Sequence, residues 1–212
     1  MPTYRHSPTG KRVLMIHIPR TAGRFVDTVF KRNELIAEHQ YGIVESHFHK
    51  ELYEKHLDVE GIPHIAVVRN PIDRFFSSSI LLKQKYGPNV GTVIQDWDDF
   101  NLMVNSYWIN DKMEGVLSDI DIPGAVKFLR PQVDYITDET YVWKFEDGFG
   151  DAFGDWVSDV LNIPFKVRDV PYPRLRGIDE GNKLEVSDSL KENIRNYYSE
   201  DFKRYYLSDA NI

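Results

Sequence analysis

The chain has 212 residues, 42% apolar and 13% aromatic, enough to build one packed domain over residues 1–212 and to exclude a disordered chain. Lys and Arg number 26 against 33 Asp and Glu, a formal net charge of −7, so no nucleic-acid partner gripped by a broad basic surface is expected. The absence of cysteine excludes disulfides, thiolate catalysis and cysteine-based zinc sites, and fits a reducing compartment.

The first residues, Met1–His6, are polar and carry no targeting signal. The first apolar run, Val13–Ile18, is too short to cross a bilayer and stops at Pro19, so no membrane span and a cytoplasmic location are expected. That run suits a strand buried on both faces. Gly23 follows, then Phe25, Val26, Val29 and Phe30 at helical spacing. Tyr41–Val44 is a weaker strand candidate, and Lys50–Leu57 suits a helix. Ile65–Val68 repeats the pattern of a buried strand; Pro71 suits the first turn of a helix running to Tyr86. Trp97, Phe100, Val104, Tyr107 and Trp108 form a helical stripe that reads as core. Tyr141–Phe145 suits a strand and Phe149–Leu161 an amphipathic helix. Pro164–Gly181 reads as a long loop, and a last helix is expected from Ser187 to Tyr206, with Ser189 and Glu192 as its capping box. Strands alternating with helices predict an α/β fold with a central, mainly parallel sheet flanked by helices. Two strand–loop–helix units would place two loops at one sheet edge, where ligands bind.

The first of these loops is Pro19-Arg20-Thr21-Ala22-Gly23-Arg24. Small residues at 22 and 23 allow close approach of a ligand to the backbone, and the following helix aims its amides and positive dipole end at the loop. Arg20, Thr21 and Arg24 add donors and charge. Loop composition alone leaves an ordinary strand-to-helix turn equally open. A Walker A pattern is absent, which counts against an ATPase, a GTPase or a nucleotide kinase. In the second unit, Arg69 ends a strand and Ser77 stands about two turns into the next helix. One guanidinium and one hydroxyl there suit a second phosphate, while an Asp73–Arg74 surface pair with Ser77 packed in the helix is the plainer reading.

Together the two segments, Ile16-His17-Ile18-Pro19-Arg20-Thr21-Ala22-Gly23-Arg24 and Arg69-Asn70-Pro71-Ile72-Asp73-Arg74-Phe75-Phe76-Ser77, resemble the two nucleotide-binding motifs of sulfotransferases that use 3′-phosphoadenosine 5′-phosphosulfate (PAPS). The resemblance is to the carbohydrate-type branch. It extends through Arg130-Pro131-Gln132-Val133-Asp134-Tyr135, Lys144-Phe145-Glu146 and the closing Asn193–Tyr206 segment. It implies a P-loop-like three-layer fold and PAPS as co-substrate, with no metal required. The acceptor would be a small molecule or glycan with a free hydroxyl. The loop Arg20, Thr21, Ala22, Gly23, Arg24 and Phe25 would hold the 5′-phosphosulfate, and Arg69 and Ser77 the 3′-phosphate. Arg20 stands where the family has Lys, and would stabilise the leaving phosphate; Arg24 replaces a usual Thr or Ser.

Sulfuryl transfer to a hydroxyl needs a proton acceptor. Glu45-Ser46-His47-Phe48-His49-Lys50-Glu51-Leu52 resembles the family stretch whose first His is the base, which implies that role for His47, with Glu45 in reserve. Spacing alone leaves His47 and His49 open as a base, a metal pair or two surface residues. His17, inside the expected strand, reads as a core histidine. Glu146 and Asp147 read as helix N-terminal charges, and Arg174 and Arg176 either close over the nucleotide or stay in solvent. A non-catalytic phosphonucleotide-binding module is the competing reading, since it would keep both loops and need no base.

Overall fold

The computed structural model describes residues 3–38, 47–86, 126–167 and 188–206. The chain divides into two compact units, Met1–Arg69 with Gln132–Arg174, and Asn70–Pro131 with Leu175–Ile212.

The first unit opens with a hairpin. Strand β1 (Thr3–His6) turns back into β2 (Arg12–Ile16) through Gly10, whose φ of 71° only glycine adopts without strain. Helix α1 (Gly23–Arg32) follows, then β3 (Leu35–Glu38), α2 (Lys50–His56), β4 (His64–Val68), β5 (Tyr141–Lys144) and α5 (Asp151–Leu161). The five strands make one sheet in the order β3-β1-β2-β4-β5. β2 pairs with β4, and β4 with β5, in parallel; β1 pairs antiparallel with both β2 and β3. The sheet is therefore mixed. The expectation of a mainly parallel sheet holds for direction, because only β1 runs against the rest, but not for pairing. The cause is the tight β1–β2 turn, which forces the antiparallel hairpin.

Val13, Leu14, Met15 and Ile16 are all buried, so β2 is covered on both faces as its unbroken apolar run requires. Val13 and Met15 share a cluster with Ile65 and Val67 of β4, Phe25, Val26, Val29 and Phe30 of α1, and Phe153 and Val157 of α5. Each such side chain contributes roughly 1.5–3 kcal/mol by leaving water. Tyr4 of β1 packs edge-on against Phe30 at 4.9 Å and donates to Asp27 of α1 at 2.7 Å, which fixes the helix over the sheet.

The second unit is helical: α3 (Pro71–Tyr86), a single turn α4 (Val126–Leu129), α6 (Asp188–Tyr197) and α7 (Ser199–Tyr205). The last carbonyls of α4 are taken by side chains. Ser78 donates to Phe128 O at 2.9 Å, Tyr198 to Leu129 O at 2.7 Å, and Arg74 to Arg130 O. Arg74 has 0% exposure and its guanidinium lies 5.5 Å from the Tyr198 ring centre. The plain reading of Arg74 as half of a surface pair with Asp73 is thus corrected: Asp73 is exposed, and Arg74 is a buried cap.

Several element boundaries differ from expectation. β2 ends at Ile16, so His17 and Ile18 belong to the loop. β3 was not anticipated, and the Tyr41–Val44 candidate, like the Trp97–Trp108 stripe, lies outside the described residues. The expected single C-terminal helix is two, parted at Tyr198, which caps α7. α6 begins at Asp188, which puts Ser189 inside the first turn rather than at the cap.

Candidate functional site

The loop after β2 is held in an unusual shape. Arg20 and Ala22 both have positive φ, 70° and 69°, although neither is glycine. A side chain in that region costs on the order of 1 kcal/mol or more, and such cost gathers where a site needs it. The turn is braced from inside: the Thr21 hydroxyl donates to Ile18 O at 2.8 Å, and Thr21 is 1% exposed. Ala22 O then accepts from Phe25 N and Val26 N, starting α1. The first turn of α1 carries no acidic residue, and Arg24 is exposed there. A cation at that end opposes the helix dipole, so positive charge is concentrated rather than compensated.

Gly23, the first residue of α1, is required by contact rather than by conformation. A Cβ on it would fall 1.8 Å from His17 Nε2 and 1.9 Å from its Cδ2. The His17 ring thus occupies the place of a side chain at position 23. On its other side is His47, with ring centres 4.4 Å apart and planes at 52°. His47 Nδ1 lies 2.9 Å from His17 O. A carbonyl only accepts, so Nδ1 donates, and the neutral His47 ring carries its lone pair on Nε2. Burial first, then the charges of His47, the amino terminus and Arg24, hold His17 well below the usual imidazole range. His17 is therefore a neighbour of the expected base and not a plain core histidine.

Arg69 follows β4 directly and is only 6% exposed. Its guanidinium carbon stands 4.6 Å above the Phe145 ring, and Nη1 donates to Arg20 O at 3.5 Å. Gln132 secures its main chain: Oε1 accepts from Arg69 N and Nε2 donates to Arg69 O, both at 2.9 Å. The structure thus brings Arg20, Arg24, His17, His47 and Arg69 to the loop after β2 or to residues touching it. In the sequence the signal for Gln132 is its place in the Pro131-Gln132 segment, which names no partner.

Ser77 is in α3 of the second unit and 1% exposed. His49 caps α2 through its carbonyl, which accepts from Leu52 N and Tyr53 N. Glu146 and Asp147 are exposed on a short 3-10 turn, Phe145–Asp147, and not at the start of α5 as expected. Glu45, Arg174 and Arg176 lie outside the described residues.

Among the described residues no group of three His, Asp or Glu side chains is arranged to hold a metal ion, and no helix is long and apolar enough to cross a membrane. Comparisons with family models, curated proteins and solved structures returned no match.

Proposed function

We propose that the chain is a PAPS-dependent sulfotransferase acting on a hydroxyl acceptor, probed first among carbohydrates. The observation that carries this reading is the strained, positively charged loop Arg20–Arg24 between a buried parallel strand and a helix N-terminus, with the Arg69 guanidinium touching it. In this reading β2, the loop and α1 are a P-loop-like element. The helix amides, Arg20 and Arg24 take the 5′-phosphosulfate, and Arg69 takes the 3′-phosphate. The cysteine-free composition accords with a cytoplasmic location.

The reaction is an in-line displacement. The acceptor hydroxyl oxygen forms a bond to sulfur, the bond from sulfur to the 5′-phosphate oxygen breaks, and adenosine 3′,5′-bisphosphate leaves. His47 Nε2 takes the hydroxyl proton, and Arg20 meets the charge growing on the leaving phosphate. The Nδ1 contact of His47 with His17 O supports an enzyme, since it leaves Nε2 as the nitrogen able to take a proton.

Two measurements test it. Calorimetry should give adenosine 3′,5′-bisphosphate about ten- to a hundredfold tighter binding than AMP, the scale of lost charge-assisted hydrogen bonds. A screen of hydroxyl acceptors with radiolabelled PAPS should then give a labelled product. Equal affinities for the two nucleotides would remove the assignment.

A further inference from the structure

We propose that His17 is a positioning residue for His47: its carbonyl fixes which His47 nitrogen carries the proton, and its ring, seated in the space left by Gly23, sets the plane of the His47 imidazole. The proposal deepens the reading above, since it rests on His47 being the base.

Three independent contacts converge on it. The His47 Nδ1 to His17 O bond selects one tautomer, while the orientation of the ring plane about that bond is a separate matter. The His17 imidazole, 4.4 Å away, supplies the surface that sets that plane. That surface is itself wedged, because the first residue of α1 has no side chain where the ring lies. Gly23 is not among the residues with positive φ, so the missing Cβ answers to His17 and not to the backbone.

Charge supports the same division of labour. Burial, and after it the charges of His47 and Arg24, keep His17 neutral. With its proton affinity lowered by burial, His17 is a weaker base than an ordinary imidazole and competes poorly for the acceptor's proton. It also adds no repulsion when His47 becomes an imidazolium, since two adjacent imidazoles do not readily share two charges.

The test uses the full chain labelled with ¹⁵N-histidine. In the wild type, above the His47 titration, NMR should show Nδ1 protonated and Nε2 unprotonated. His17→Ala keeps the carbonyl but removes the ring; His47 should then keep Nδ1 protonated while its ring proton signals broaden as the imidazole swings about that bond. On a competent acceptor kcat should fall about 10- to 100-fold, with KM for PAPS within about twofold. Gly23→Ala should lower the melting temperature of the wild type but not of His17→Ala, because the clash needs the ring. A wild-type His47 protonated on Nε2 alone overturns the proposal, as does His17→Ala with unchanged His47 line widths and kcat. Should His17→Ala fail to fold, the wild-type spectrum decides. Should no nucleotide bind and no acceptor react, the sulfotransfer reading falls, while the spectrum and the melting of the paired variants still decide the role of His17.

Discussion

The side-chain amide of Gln132 pairs with the main chain of Arg69 as a neighbouring strand would, accepting from its N–H and donating to its carbonyl at 2.9 Å each. The β4–β5 ladder stops one residue earlier, at Val68 opposite Lys144. Gln132 extends the restraint to the residue whose guanidinium reaches the Arg20–Arg24 loop. Gln132→Ala should therefore lower stability by about 1–3 kcal/mol, the cost of leaving buried groups unsatisfied. Denaturation read by circular dichroism measures that loss. Affinity for adenosine 3′,5′-bisphosphate should fall with it; unchanged calorimetric affinity would mean that Arg69 does not hold the nucleotide.

Arg20→Ala should lower turnover more than it weakens product binding. A donor at the leaving phosphate acts mainly as charge develops there, so a loss of about 10²–10³ in kcat is expected. Steady-state kinetics with PAPS, set beside calorimetry on the bisphosphate, separates the two effects. A rise in KM alone would make Arg20 a ground-state anchor.

His47→Ala should lower kcat about 10²–10⁴-fold and leave nucleotide affinity within a small factor. His49→Ala is the control. His49 contributes its carbonyl to α2, which alanine also supplies, so its loss should be milder. Single-turnover assays on a competent acceptor decide; near-normal turnover in His47→Ala would place the base elsewhere, with Glu45 next to be tested.

Stability should depend on pH through His17. Its folded-state pKa lies below the ordinary 6.5, from burial first and then from the charge of His47. Below that ordinary value the unfolded chain binds a proton that the folded chain does not. The stabilising contribution is thus complete above pH 6.5 and is lost as pH falls toward the folded value, by up to about 1.4 kcal/mol per pH unit. His17→Phe should flatten that part of the profile in chemical denaturation; an equally steep profile would assign the slope to other groups.

Much of this fold was legible where apolar periodicity and breakers agree. Ile65–Val68 followed by Asn70-Pro71 gave β4 and the start of α3 to within a residue, because a buried strand and a proline at a helix start leave few alternatives. β3 escaped notice because Leu35-Ile36-Ala37-Glu38 alternates weakly: Leu35 is buried, Ile36 is 62% exposed, and pairing with β1 rather than pattern makes it a strand. In the site, composition alone left the Arg20 and Arg69 segments open, and the family resemblance is what singled them out. The partners that orient them are another matter. That His17 contacts His47 across 30 residues, and Gln132 contacts Arg69 across 63, follows from three-dimensional packing that neither spacing nor propensity encodes.

The one counter-running strand has a consequence for how the chain is handled. β1 fills the slot between β2 and β3, and among the described residues β3 bonds to the sheet only through it. Removing Thr3–His6 would strip both neighbours of their partner at once. Two raw backbone edges would then face solvent, one of them on the strand that leads into the Arg20–Arg24 loop, and edges of that kind recruit other chains. A fusion or trimming strategy that spares this segment leaves those two edges covered, whereas one that intrudes on it invites clumping.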